Sequence, residues 1–172
     1  MNELIILYLL SKSYSTMYGL SKNIKKIFAG ITKPGFGTLQ PALKRLEKQE
    51  YIKSEKFFTD GGKPYFYYSL TAKGNDFLKE KLLEKLSDNP SQFYPTAKIK
   101  LACSDVLEDS EKIELYKSVK AKLLKLKSEL ENIMSSGSVD ENYYQRMVLD
   151  NTICDYKNLL SLIEGFEHAC CR

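Results

Sequence analysis

Residues 37–47 read GTLQPALKRLE, the stretch of the sequence that is most informative about its architecture. Its apolar residues are Leu39, Leu43 and Leu46. Spacings of four and three residues place them on one face of a helix. Thr38 is a residue type that caps helices, and Pro41 falls in the first turn, where its missing N–H costs little. The stretch therefore predicts an amphipathic helix that begins near Gly37.

Two further helices are predicted before this stretch. The apolar run of residues 4–10 follows Asn2, a residue type that caps helices, and predicts a short buried helix that ends near Lys12. The second helix has an apolar face made of Leu20, Ile24, Ile27 and Phe28. Its opposite face carries Lys22, Lys25 and Lys26.

After Glu50 the pattern is that of extended chain. Residues 51–58 and 65–70 are rich in aromatic and β-branched side chains, and the turn between them contains Gly61-Gly62, which predicts a β-hairpin. A fourth helix follows Thr71, and its apolar residues reach Leu86. Three helices, a hairpin and a helix, in this order, are typical of a winged helix-turn-helix. In such a module the third helix enters the major groove of DNA.

Basic side chains are concentrated in this N-terminal part. The first 86 residues carry 15 Lys and Arg against 8 Asp and Glu, whereas the remainder carries 11 against 14. A basic domain that faces a polyanion, joined to a neutral or acidic domain that faces a partner, explains this asymmetry. Chance clustering on solvated surfaces explains it too, so the charge alone does not decide.

Three motifs in order resemble the PadR family of bacterial transcriptional regulators. Residues 37–47 are similar to the family's recognition-helix signature, G-T-L-Y-P-A-L-x-R-L-E. Residues 67–74, Tyr-Tyr-Ser-Leu-Thr-Ala-Lys-Gly, are similar to its Y-Y-x-L-T-x-x-G segment, and residues 17–20 to the start of its second helix. The resemblance covers most of residues 4–78, and each motif falls in the appropriate predicted element.

The sequence departs from the family pattern at three places. Gln40 stands where the family usually has tyrosine, which predicts an altered base preference because glutamine can bond adenine through two groups. Glu50 replaces a helix-ending glycine and should weaken a helix end. The arginine-rich stretch before the second strand is reduced to Lys63-Pro64, which predicts fewer phosphate contacts and a weaker salt dependence of binding.

The resemblance implies a homodimeric repressor that binds double-stranded DNA at near-palindromic operators and is often released by small aromatic or drug-like molecules. A cytoplasmic protein is expected because no apolar run reaches the length of a membrane helix. Together with the winged-helix geometry, the resemblance implies DNA contacts from the third helix, from the second helix and from the hairpin. The predicted DNA-binding residues are Tyr18, Lys22, Lys33, Thr38, Gln40, Lys44 and Lys63. The fold class expected is mostly α with a small β-hairpin, divided into a DNA-binding domain at residues 1–86 and a helical domain at residues 87–172.

The second domain is predicted to dimerise. A short helix is expected within residues 92–104. Residues from Glu111 onward repeat apolar side chains at spacings of three and four, and a final helix near Asp140 repeats this pattern. The second apolar seam, the predicted dimer contact, consists of Leu149, Ile153, Tyr156, Leu160 and Ile163. Two long seams favour an antiparallel pair of helices covered by a second subunit, and the alternative is a self-contained three-helix bundle.

The aromatic run of residues 65–68 allows two interpretations. Such rings can stack on single-stranded nucleic acid. Packing of a small sheet is the favoured interpretation, because alternate strand residues provide aromatic mass on the core face.

Enzymatic and metal-binding functions find little support. The single histidine, His168, lies near the C-terminus beside Cys170 and Cys171, where two adjacent thiols have poor geometry for binding one metal ion. The glycines fit no phosphate-binding motif, no cofactor is indicated, and no apolar run is long enough to cross a membrane. The sequence therefore predicts a regulator and not an enzyme. The alternative is a winged-helix interaction module whose basic face binds an acidic protein.

Overall fold

The structure is a computed structural model that describes residues 1–136 and 142–170. The chain divides into two compact units, Met1–Leu107 and Glu108–Arg172. In chain order the elements of the first unit are α1 (Asn2–Lys12), β1 (Ser15–Thr16), α2 (Met17–Ile27), α3 (Phe36–Lys48), β2 (Ile52–Phe58), β3 (Pro64–Leu70), α4 (Ala72–Leu83), α5 (Pro90–Ala102) and a 3-10 turn (Ser104–Val106). The second unit contains α6 (Asp109–Ser135) and α7 (Tyr143–Cys170).

The core of the first unit forms around α1 and α3. Helix α1 is buried on nearly all sides and packs against α3, α4 and β3, as its uninterrupted apolar run predicts. Helix α3 buries its predicted face, with Leu39, Leu43 and Leu46 at most 1% exposed. The helix begins at Phe36, one residue before the predicted Gly37, but the prediction that Thr38 caps it was wrong, because Gly35 is the N-terminal capping position and Thr38 lies within the first turn. The mostly helical fold with a small sheet is confirmed.

The sheet has three antiparallel strands in the order β1-β3-β2. The predicted hairpin pairs from Ile52 with Leu70 at its base to Phe58 with Pro64 near its tip. The prediction lacked β1, whose two residues pair with Tyr67 and Tyr68 of β3. The short strand attaches the start of α2 to the hairpin.

The two faces of the hairpin have different surroundings. Ile52 lies on the face that packs against the helices, and Ser54 on the same face donates a hydrogen bond to Glu47 of α3. The opposite face carries a cluster of four rings, Tyr14, Phe57, Tyr65 and Tyr67, with neighbouring centroids 5.4–5.9 Å apart. Aromatic packing of the strands is therefore present, but much of it lies away from the helices.

Glu50 occupies the left-handed position that ends α3. The φ of Glu50 is 63°. The N–H of Glu50 donates to the carbonyl of Glu47, and the N–H of Tyr51 donates to the carbonyl of Leu46. These two hydrogen bonds define a Schellman motif, in which glycine is the usual residue at this position. The departure from the family pattern at this residue therefore places a side chain where backbone strain is costly.

We expect Glu50→Gly to stabilise the protein by about 0.5–1 kcal/mol, because glycine adopts the left-handed conformation without strain. The lost ion pair with Lys73, 3.6 Å long and exposed, contributes little. Urea denaturation measures the change. Gln49→Gly is the control, since Gln49 has a φ of −87° and should gain nothing from glycine. Equal effects of the two variants would contradict this explanation.

The first unit extends beyond the predicted domain boundary at residue 86. Helix α5 and the 3-10 turn belong to it: Lys12 of α1 pairs with Asp105 at 2.7 Å, and Lys100 of α5 donates a hydrogen bond to the Glu84 carbonyl at the end of α4. The structure therefore divides the chain after Leu107 and not after Leu86. The helix predicted within residues 92–104 begins slightly earlier, at Pro90.

The buried amine of Lys100 makes stability depend on pH. Burial lowers its pKa from 10.5 to about 8, although Glu84 opposes this shift. Between these pH values the unfolded chain binds more protons at this site than the folded chain, so the free energy of unfolding rises with pH. Burial raises the pKa values of Cys103 and Tyr8 from 9.0 and 10.0 to about 12. At a pH above those ordinary values the folded chain binds more protons at these groups than the unfolded chain, so the free energy of unfolding falls as the pH rises.

Comparison with Lys100→Met isolates the lysine, because Cys103 and Tyr8 are present in both proteins. We expect the wild type to gain stability relative to this variant between pH 7 and pH 10, with most of the gain above pH 8. Urea denaturation at both pH values measures the difference. Parallel pH profiles would show that Lys100 does not titrate in this window.

The second unit is an antiparallel pair of helices. Lys120 of α6 pairs with Glu167 of α7 at 3.0 Å, and the rings of Tyr116 and Phe166 are 5.8 Å apart, so the start of α6 lies beside the end of α7. Glu108 and Glu111 form a reciprocal capping box at the start of α6. The predicted start of the last helix, near Asp140, lies outside the described residues, and the described helix begins at Tyr143.

The predicted dimer seam is partly covered within one chain. Ile153, Tyr156 and Ile163 are buried, whereas Leu149 and Leu160 are half-buried. The exposed large apolar side chains of α7 lie elsewhere, and they are Tyr143, Tyr144, Met147, Val148 and Leu162.

Cys103 is buried and Cys154 is exposed, and Cys171 lies outside the described residues. Among the helices described, none combines the length and apolar content needed to cross a lipid bilayer.

Candidate nucleic-acid interface

Helix α3 presents a polar stripe to solvent. Its buried leucines fix the rotation of the helix, and this rotation leaves Thr38, Gln40 and Lys44 exposed. Gln40 and Lys44 are four residues apart and lie one above the other on the same face. The structure therefore places all three residues predicted on this helix on the solvent side. Arg45 differs, since its Nε donates to Glu3 at 2.8 Å and its charge is partly neutralised.

The first turn of α3 is open to a close approach. A Cβ placed on Gly35 or Gly37 would meet no atom within 4 Å, so no side chain blocks the start of the helix. The first N–H groups of a helix have no acceptor within the helix, and the helix dipole gives this end a partial positive charge. An anion such as a DNA phosphate can therefore approach the backbone here.

Helix α2 supplies a second set of exposed groups. The Thr16 hydroxyl caps this helix by accepting from the N–H of Gly19 at 3.1 Å, which fixes its start beside β1. Tyr18 and Lys22, four residues apart, are both exposed on this helix. Lys33, in the loop before α3, borders a hollow of about 540 Å³ together with Lys25. The sequence pattern predicts Lys25 only on the basic face of α2, and its place beside Lys33 is visible only in the structure.

The hairpin meets the helices at a second hollow, which we call the wing hollow. It has a volume of about 470 Å³. Its lining consists of Thr16, Met17, Tyr18, Phe36, Lys63, Pro64, Tyr65, Phe66 and Tyr68. The wing hollow brings together two of the predicted DNA-binding residues, Tyr18 from α2 and Lys63 from the hairpin turn. It also includes the first residue of α3.

Three exposed residues of this surface were not among the predicted DNA-binding residues, although Phe66 belongs to the aromatic run for which sheet packing was favoured over nucleic-acid stacking. Phe36 and Phe66 line the wing hollow, and Lys56 lies near the hairpin tip with its Nζ 5.0 Å from the ring centroid of Phe58. Strand register could have indicated Lys56, because it pairs with Phe66 on the same face. No sequence pattern marks Phe36 as exposed, since the residue precedes the apolar periodicity of α3.

These elements define a winged helix-turn-helix module. Residues 6–80 match the protein-family model described as "Transcriptional regulator PadR-like family". No match was found among curated proteins.

Several solved structures are similar to the chain. A transcriptional regulator from Clostridium thermocellum is 37% identical over 46% of this chain and 76% of its own, with a TM-score of 0.43. A PadR family transcription regulator from Clostridium difficile is 32% identical over 46% of this chain and 81% of its own, with a TM-score of 0.40. Bacillus subtilis PadR in complex with operator DNA is 17% identical over 98% of both chains, with a TM-score of 0.46.

The chain belongs to the PadR-like family of transcriptional regulators. The resemblance drawn from the three sequence motifs is thereby confirmed. The matched residues, 6–80, contain all the residues predicted to contact DNA. They do not include α5, α6 or α7.

Proposed function

We propose that the protein is a repressor that binds a near-palindromic operator as a homodimer and recognises its sequence through α3. The observation that carries this proposal is the orientation of α3. Its apolar face is anchored by buried leucines, so Thr38, Gln40 and Lys44 are held at the surface of a family-typical module. A rigid helix with exposed polar side chains at its N-terminal part is the element that reads the major groove in such modules.

Five of the exposed residues have a proposed role. Gln40 forms two hydrogen bonds with an adenine edge, because its amide matches the donor and acceptor that adenine presents in the major groove. Lys44 and Lys63 contact phosphates from α3 and from the hairpin. Tyr18 and Lys22 add contacts from α2. The phosphate contacts set the register of the protein on the duplex, and the base contacts select the sequence.

The homodimer is proposed from the apolar surface of the second unit. Within one chain Ile153, Tyr156 and Ile163 are already buried, so the accessible contact includes the half-buried Leu149 and its exposed neighbour Val148. Together with Tyr144 and Gln145, these two residues border a shallow hollow with a volume of about 440 Å³. Exposed apolar groups that cluster in this way commonly mark contact surfaces.

Regulation is proposed to be a shift between two dimer populations. A small aromatic or drug-like molecule that prefers the dimer with the wrong half-site spacing weakens operator binding by its difference in affinity for the two forms. The protein acts in the cytoplasm, where the operator DNA is found.

Selection from a random duplex library tests the proposal. The wild-type protein should enrich one near-palindromic sequence. Footprinting of that sequence should show two protected half-sites about 10–10.5 bp apart, or a multiple of that distance, because two recognition helices enter grooves on one side of the duplex. A library without an enriched sequence would contradict sequence-specific recognition. A single protected half-site would contradict the dimer.

A further inference from the structure

The wing hollow is apolar in a surface that is otherwise polar and basic. Tyr18 is 71% exposed, Phe36 46% and Phe66 42%, and all three border the same hollow. Lys63 borders it as well, and among its described lining residues none carries a carboxylate. A surface that only attracted phosphates would need cations here and would gain nothing from exposed rings.

The hollow is built by well-fixed elements. Phe66 and Tyr68 lie on the helix-facing side of β3, opposite Lys56 and Ser54 of β2. Phe36 is the first residue of α3 and is held by the buried face of that helix. Met17 and Tyr18 begin α2, whose start is fixed by the Thr16 cap. The apolar side chains are therefore positioned before any ligand arrives.

The location of the hollow restricts its occupant. Phe36 lies two residues before Thr38 and four before Gln40, at the end of α3 that approaches base edges in a recognition helix. The edges of bases in the major groove offer hydrogen-bond donors and acceptors, and they offer one apolar group, the C5-methyl of thymine. Phenylalanine is among the residues that contact this methyl group in protein–DNA complexes.

We propose that the wing hollow recognises the C5-methyl group of a thymine in each operator half-site, with Phe36 as the contacting residue. This inference rests on the proposed function. It also agrees with the proposed role of Gln40, because an A·T pair offers both an adenine edge and a thymine methyl. Tyr18 and Phe66 exclude water around the methyl, and Lys63 contacts the neighbouring phosphate.

Deoxyuridine differs from thymidine only by lacking the C5-methyl group. The thymines of the selected operator are therefore replaced by deoxyuridine one symmetrical pair at a time. For the wild-type protein, one symmetrical pair of replacements should lower affinity about fifteenfold, or about fourfold in each half-site, as expected for one buried methyl group. The other replacements should have smaller effects. Fluorescence anisotropy at constant salt measures each affinity.

Phe36→Ala should remove the difference between thymine and deoxyuridine at that position while it keeps a preference for the operator over a scrambled duplex. The matched control is Phe58→Ala, because Phe58 is 62% exposed near the hairpin tip and does not line the hollow. This control should retain the fifteenfold difference. The wild-type measurement is decisive even if Phe36→Ala does not fold.

Two results would overturn the inference and leave the proposed function intact. The first is an operator preference in which all deoxyuridine replacements are neutral, which would show that no thymine methyl contributes to binding. The second is an unchanged deoxyuridine effect in Phe36→Ala. If the wild type prefers no duplex over another, both the proposed function and this inference fail, and an acidic protein becomes the occupant to test.

Discussion

The double variant Lys44→Ala/Lys63→Ala should bind the operator several hundredfold more weakly than the wild type at about 0.15 M salt. Each lysine is exposed and lies on the proposed interface, one on α3 and one beside the hairpin tip. A dimer would lose about four phosphate contacts, and each contact contributes about 0.9 to the slope of log K against log salt. The slope should therefore become shallower by about 3 to 4.

The control for this variant is Lys117→Ala/Lys157→Ala, which changes the net charge equally. Both lysines are exposed and lie on α6 and α7, outside the winged helix. Fluorescence anisotropy at several salt concentrations measures both variants. If they weaken binding equally, general attraction to the basic protein explains the affinity, and the assignment of this surface to DNA is wrong.

Gly74→Ala should destabilise the first unit by about 3 kcal/mol or more, because no side chain fits at this position. An added Cβ would lie 1.9 Å from the carbonyl oxygen of Tyr51 and 2.9 Å from Cδ1 of Leu70. The site is a joint between the end of α3 and the start of α4. There Thr71 Oγ1 accepts from the N–H of Gly74 at 3.0 Å and donates to the carbonyl of Glu50 at 2.7 Å.

Relief of the clash in Gly74→Ala requires the backbone of the joint to separate, which also moves the hairpin relative to α3. Urea denaturation followed by circular dichroism measures the loss. Gly61→Ala is the control, since the nearest atom to its added Cβ is 4.0 Å away, and its effect should stay within about 0.5 kcal/mol. A loss below about 1 kcal/mol in Gly74→Ala would show that the joint relaxes easily.

The parts of the fold that depend on local pattern were predictable. The periodic leucines of α3 and the apolar run of α1 determine buried helices directly, and the two strands joined by Gly61-Gly62 form the expected hairpin. The cap of α3 was predicted three residues too late, at Thr38 instead of Gly35, because glycine gives no side-chain signal at such a position. Element ends depend on such details more than on periodicity.

The features that were missed depend on contacts between distant residues. The strand β1 has two residues and exists only through its pairing with Tyr67 and Tyr68. The ion pair of Lys12 with Asp105 attaches the 3-10 turn to α1 and moves the domain boundary, and no local pattern links these two residues. The seam of α7 was identified by its spacing, but spacing cannot show whether a helix of the same chain covers it.

The candidate site was predictable where a motif specifies position. The signature of residues 37–47 indicated Thr38, Gln40 and Lys44, and the structure exposes all three. The wing hollow was not predictable, because it requires the starts of α2 and α3 to meet the start of β3. Phe36 and Phe66 belong to different elements, and each alone would be taken for an ordinary core residue.

Recognition of a DNA sequence through α3 is the proposed function of this winged helix. The most direct test is fluorescence anisotropy of the wild-type protein with the selected operator and with a scrambled duplex of equal composition at physiological salt. We expect a preference of about a hundredfold or more for the operator, in the range of specific regulators. Equal, weak and steeply salt-dependent binding to both duplexes would contradict it, because such binding reflects only a basic surface.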